Sequence, residues 1–112
     1  MPNQSAHLNQ VFQALADPTR RAVLERLSSG PAPMSELAQP FRMALPSFSQ
    51  HLDVLENCGL VRSRKIGRVR TYQLVPHRLK AAEQWMVRQR ETWDRRLDQL
   101  DNYLKTLKEQ KQ

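Results

Sequence analysis

Between positions 47 and 51 the chain reads Ser47-Phe48-Ser49-Gln50-His51, four hydrogen-bonding side chains around one phenylalanine. A little further on, residues 61 to 74 hold five basic side chains and no acidic one, among them Arg64, Lys65, Arg68 and Arg70. Neither group has the makings of catalysis. No nucleophile stands beside a base, no carboxylates cluster, no glycine loop is shaped for phosphate, and His7, His51 and His77 are scattered along the chain. Both groups are suited to binding nucleic acid. A glutamine amide pairs bidentately with adenine N6 and N7, worth about 1–3 kcal/mol of discrimination when aligned, and arginine or lysine on a phosphate releases condensed counterions. Ser47 and Gln50 are therefore assigned to base edges, and Ser49 and His51 to phosphates, with His51 serving equally well as a packing residue. Arg68, next to Gly67, is placed to reach a minor groove, while Arg64, Lys65 and Arg70 are assigned to phosphates.

These side chains need two elements to present them. From Met43 to Val61 the spacing predicts a helix with two unlike faces: Phe48, Leu52 and Leu55 recur at steps of four and three, and Ser47, Gln50, Asp53 and Asn57 fall opposite. Pro46 suits its first turn, where the missing N–H has no partner, and Gly59 suits a C-terminal cap of positive φ. Beyond it, two β-prone arms flank Gly67, which predicts a hairpin. A polar helix face beside a cationic ribbon is the pattern of a helix-turn-helix with a wing, meeting double-stranded DNA.

The rest of the chain must support that pair. A length of 112 residues holds one domain with a modest core. A formal charge of +7 and a pI near 10.3 favour polyanions. No apolar run of about 18 residues is present to span a bilayer, and the first residues have no export signal, so a cytoplasmic protein is expected. The single cysteine, Cys58, excludes an intrachain disulfide, and no Cys/His spacing fits zinc.

Leu8, Val11, Phe12 and Leu15 predict a first amphipathic helix over roughly Ala6 to Leu15. Asp17 as cap with Pro18 at the first helical position starts a second, ending near Ser28. Ser29 to Pro33 reads as a turn. Ser35 is expected to cap a short third helix through Ala38. After Pro76 an apolar stripe of Ala82, Met86, Trp93, Leu97, Leu100, Leu104 and Leu107 predicts a long helix over about 78–108. A domain this small cannot cover the stripe, so a two-fold homodimer through residues 1–15 and 78–108 is expected. The expected class is mainly α with a small β-hairpin, in the order α-α-α-α-β-β-α.

The chain resembles the ArsR family of winged-helix transcriptional regulators, in the branch without metal-site residues. The resemblance is carried by Leu15-Ala16-Asp17-Pro18-Thr19-Arg20-Arg21-Ala22-Val23-Leu24, by Glu36-Leu37-Ala38, by Ser49-Gln50-His51-Leu52-Asp53-Val54-Leu55 with Gly59-Leu60-Val61, and by Gly67-Arg68 ahead of Tyr72. It covers roughly residues 8 to 75. It implies a homodimeric DNA-binding repressor that dimerises through its first and last helices; with the polar helix face, the cationic hairpin and the apolar stripe, the expectation is a repressor on a palindromic operator near its own promoter. Phe41, Arg42, Met43 and Ala44 stand where metal-sensing relatives carry Cys-x-Cys, and His77 precedes the last helix, so neither metal site of the family carries over and no cofactor is expected. A small-molecule or oxidative inducer stays open, as does the alternative of a non-specific architectural protein that coats nucleic acid.

Overall fold

A computed structural model describes residues 4–111, with side chains from residue 6. The elements run α1 (Gln4–Leu15), α2 (Pro18–Leu27), β1 (Ala32–Pro33), α3 (Met34–Ala38), α4 (Leu45–Asn57), β2 (Val61–Ile66), β3 (Val69–Leu74) and α5 (Pro76–Gln110). Packing groups them into two compact units, Met1–Ala82 and Glu83–Gln112, the second being the outer length of α5. No helix among the described residues is long and apolar enough to cross a membrane.

In the first unit the α-helices enclose a core in which Phe48, Leu52 and Leu55 of α4 meet Val11 and Ala14 of α1, Val23 and Leu27 of α2, and Leu37 of α3. The sheet closes it with Ala32, Val61 and Tyr72, and Phe41 stacks on Phe48 with ring centroids 5.4 Å apart. The i, i+4, i+7 spacing of the three α4 residues puts them on one stripe, and all three are fully buried.

Three sequence expectations change, one of them simply a boundary: α5 begins at Pro76 instead of near Arg78, because the proline serves as its first residue, so His77 lies inside the first turn of the helix and not ahead of it. Ser29 to Pro33 is not wholly turn: Ala32 and Pro33 pair antiparallel with Tyr72 and Thr71, giving a three-stranded sheet ordered β1-β3-β2. A two-residue strand is too short to show alternation in a sequence. Proline is tolerated there because β1 lies on the sheet edge, where an absent N–H breaks no ladder. The third change follows from that pairing. Because β1 runs directly into α3, that helix begins at Met34 behind Pro33, with no side-chain cap, and Ser35 lies inside it.

The ends of α4 are set by chemistry legible in the residues. Ala44 precedes the helix in extended conformation without a side-chain cap, and a proline occupies the first turn, where an N–H would be unpartnered anyway. At the other end the Gly59 N–H bonds the Glu56 carbonyl at 3.0 Å and the Leu60 N–H bonds the Leu55 carbonyl at 3.0 Å, a paired closure made possible by φ of +82° at Gly59. A Cβ at Gly59 would also lie 2.5 Å from Nε of Arg78. Since that guanidinium can swing aside, left-handed backbone strain dominates. Gly59→Ala is expected to destabilise the chain by about 1–2 kcal/mol, read as a lower urea midpoint at fixed protein concentration with an unchanged slope.

The hairpin turn needs glycine for the same backbone reason, with no crowding added. Gly67 takes φ of +63°, while no non-glycine residue among those described has positive φ. A two-residue loop with the positive φ at its first position alone is the II′ turn, which matches strand twist. Arg68 is thereby left at the apex.

Candidate nucleic-acid interface

The two predicted groups lie on adjacent elements of the first unit. On α4, Ser47, Gln50, Asp53 and Asn57 are exposed, as expected for the side opposite Phe48, Leu52 and Leu55, while Ser49 and His51 are half-buried at its margins. The face is not purely polar. Val54, one turn after Gln50, is 38% exposed, and Leu45, at the start of the helix and off this face, is 58% exposed. An apolar side chain in the position of Val54 offers the contact a thymine methyl makes, and Asp53 can accept from cytosine N4. Neither apolar residue is among those assigned from sequence, although Val54 falls at i+4 from Gln50 and is open to the same periodic reasoning.

Arg64, Lys65, Arg68 and Arg70 are all exposed on the hairpin. Its register pairs Arg64 with Thr71, Lys65 with Arg70, and Ile66 with Val69. Two like charges directly opposite one another on a strand pair are unfavourable, so Lys65 and Arg70 oppose each other's placement unless an anion lies between them. The fifth cation has other work: the Gln73 amide, turned with its oxygen toward Arg62, accepts from Nε and from a terminal nitrogen, each at 2.7 Å.

Side-chain bonds fasten the hairpin to α4. Glu56 Oε2 accepts from both the backbone N–H and the hydroxyl of Ser63 at 2.8 Å, and Arg70 donates to the same hydroxyl oxygen at 2.8 Å. The last turn of the helix and the first strand of the hairpin therefore keep a fixed relation. Neither Glu56 nor Ser63 stands out in the sequence, since both types are ordinary and their bond depends on where the strand returns.

A second set of bonds fixes the root of α4. Asp17 caps α2 by accepting from the Arg20 backbone N–H at 3.0 Å. The Arg20 guanidinium donates to the carbonyls of Ala14 at 2.8 Å and Gln13 at 3.0 Å, and Arg21 donates to the carbonyl of Leu15 at 2.7 Å. Carbonyls in the last turn of a helix have no intrahelical partner, and cationic donors suit that negative end. The third guanidinium bond reaches Nδ1 of His51 on α4 at 3.1 Å. Both arginines thus serve the packing of α1 on α2, and His51 combines a packing role with a place beside the exposed face. Burial favours the neutral form of Asp17, but the Arg20 N–H and the neighbouring positive charge outweigh it and hold the carboxyl below its ordinary value.

Cys58 is buried with its thiol toward the Leu55 carbonyl, and burial pushes its pKa up, which keeps it a neutral, unreactive thiol. Among the described residues no group of three or more His, Cys, Asp or Glu is gathered as a metal site.

On the outer length of α5, Trp93, Leu97, Leu100, Tyr103 and Leu104 are each more than half exposed. Isolated exposed apolar residues are ordinary, but a continuous row of them is not.

Comparison with known proteins places these features in company. A helix-turn-helix domain family matches residues 15–64. The HTH-type transcriptional regulator Rv2034 of Mycobacterium tuberculosis is 48% identical over 73 residues, which are 65% of this chain and 68% of that protein. The crystal structure of the ArsR family transcriptional regulator RHA00566 is 54% identical, with a TM-score of 0.78 over 84% of this chain and 97% of that one. The solution structure of the homodimeric winged helix-turn-helix DNA-binding domain of Mb0332 from Mycobacterium bovis is 25% identical, with a TM-score of 0.60 over 85% of this chain and 92% of that one.

Proposed function

Because the chain belongs to the ArsR family of winged-helix transcriptional regulators, we propose that it works as a homodimeric cytoplasmic repressor occupying a palindromic operator near its own promoter. Two copies related by a two-fold axis set their α4 helices into successive major grooves, about 34 Å apart. Gln50 and Ser47 meet base edges, and Ser49 and His51 meet the phosphates that flank them. Each wing lies over the neighbouring backbone, with Arg64, Lys65 and Arg70 on phosphates and Arg68 at the minor groove. Bound in this way, the dimer excludes polymerase by occupancy.

The observation that carries this reading is the opposed Lys65–Arg70 pair on a hairpin bonded to the end of α4 through Ser63 and Glu56. The arrangement sets a cationic surface at a fixed offset from a helix face that is free to touch bases. Dimerisation through α1 and α5 is supported by the apolar row along α5 and by the homodimeric relative. An inducer that releases the operator, a small molecule or an oxidant, is compatible with such a dimer; the neutral, buried Cys58 speaks against that thiol as the oxidant's target.

Selection from a random duplex pool at moderate salt tests the function. Recovery of a palindromic sequence is expected. Replacing both Ser47 and Gln50 by alanine should then cost about 1–3 kcal/mol of preference at each base they read, while bulk DNA affinity stays. A pool that yields no sequence, together with steeply salt-dependent binding to all duplexes, would instead make the protein an architectural one.

A further inference from the structure

Arg20 does more than hold the end of α1. A guanidinium has donors only and does not lose its proton in proteins. Its bond to Nδ1 of His51 at 3.1 Å therefore requires a lone pair on that nitrogen. In a neutral imidazole one nitrogen accepts and the other carries the proton, and the partner of the first decides the position of the second. A proton on Nδ1 would point an N–H at the guanidinium. The Asp17 carboxylate, whose Oδ2 lies 3.7 Å from Nδ1, is too far for a hydrogen bond that would hold it there. No buried side-chain nitrogen or oxygen among the described residues is without a partner. The second ring nitrogen, Nε2, makes no hydrogen bond to any described residue and is not fully buried, which leaves it open to a partner from outside the chain.

From this geometry we infer that Arg20 is a positioning residue which locks His51 in the Nε2–H tautomer and so presents a hydrogen-bond donor, rather than an acceptor, to a DNA phosphate beside α4. The inference rests on the reading of α4 as the DNA-contacting helix. It explains why a half-buried histidine at the margin of that face suits a polyanion even when uncharged. A phosphate oxygen only accepts, and an imidazole with its proton on the inner nitrogen would meet it lone pair to lone pair. Arg20 is itself anchored by two carbonyls of α1, so the choice of tautomer is built into the junction of three helices.

The experiment has two arms, both on the full chain. Long-range ¹H–¹⁵N correlation spectra of the DNA-free protein in mildly alkaline buffer should show His51 Nδ1 bare and Nε2 protonated. Arg20→Leu should convert this into a mixture of tautomers. In the second arm, duplex affinity is measured for two variants chosen by where they put an amide N–H. His51→Gln places one near the position of Nε2 and should bind within about twofold of the unsubstituted protein. His51→Asn places one near Nδ1 and should bind about tenfold or more weakly, as expected when a hydrogen bond to a charged group is missing. A protonated Nδ1 in the unsubstituted protein overturns the tautomer lock, whatever the DNA result. Equal affinities for His51→Gln and His51→Asn overturn the donor role. If the unsubstituted protein binds no duplex at all while its Nε2 is protonated, the fault lies with the reading of α4, and the donor role falls with it.

Discussion

Glutamate introduced at both Leu97 and Leu100 is expected to leave the protein monomeric and to weaken operator binding by about 10²–10⁴-fold, the advantage that joining two binding units confers without any new interaction. Both residues are about half exposed in the single chain, so carboxylates there cost the monomer little. Surface changes of this kind usually stay within about 0.5 kcal/mol. In a dimer buried along α5 the same change sets four carboxylates into an apolar seam, where each would need a partner that the seam does not supply. Sedimentation equilibrium reads the assembly and fluorescence anisotropy reads the affinity. Unfolding by urea, followed on the same samples, checks that the first unit is intact. A variant that remains dimeric with undiminished affinity would show that the apolar row of α5 serves something else.

Neutralising the wing should have an effect of similar size by a different route. With Arg64, Lys65, Arg68 and Arg70 all replaced by glutamine, a dimer loses eight cationic side chains. If each neutralises one phosphate, the slope of log affinity against log salt becomes shallower by up to about 7, and affinity at moderate salt falls by about 10³-fold or more. Base preference should survive, since Gln50 and Ser47 are untouched, and the dimer should persist because α5 is untouched. Removal of the opposed charges at Lys65 and Arg70 should also relieve a repulsion in the free protein. That small gain is set against removal of the Arg70–Ser63 bond, so thermal stability is expected to change little. An unchanged salt slope would mean that the wing never touches the duplex.

How much of the fold and the interface is legible in the residues depends on the distance over which each feature is determined. α4 is largely legible because most of what defines it lies within one stretch: the stripe of Phe48, Leu52 and Leu55, the early proline, and Gly59 at the stop, with the helix proper occupying Leu45–Asn57 inside the expected span of Met43 to Val61. The wing is legible for the same reason, as two β-prone arms with Gly67 between them. Asp17 and Pro18 mark the start of α2 from two adjacent residues. What escapes is decided by partners far along the chain. Ala32 and Pro33 form a strand only because Tyr72 and Thr71 come alongside, and Ser35 has no capping role because that pairing advances the start of α3. The hub at Arg20 is hidden for a related reason. An arginine at that place on α2 suits a phosphate or a packed neighbour alike, and nothing local reveals that its guanidinium spans three helices and ends on His51. Val54 escapes differently. It is an apolar member of a face that polarity alone defines in the sequence.

The solitary thiol has a practical corollary. Cys58 is only 4% exposed, at the junction between the last turn of α4 and the sheet. An alkylating reagent can reach its sulfur only during excursions that loosen this junction, and there is no second cysteine to confuse the record. Nature has placed an internal stopwatch under the helix proposed to enter the groove: the pace of thiol capping, with and without duplex, reports how often that helix lets go of its own scaffold.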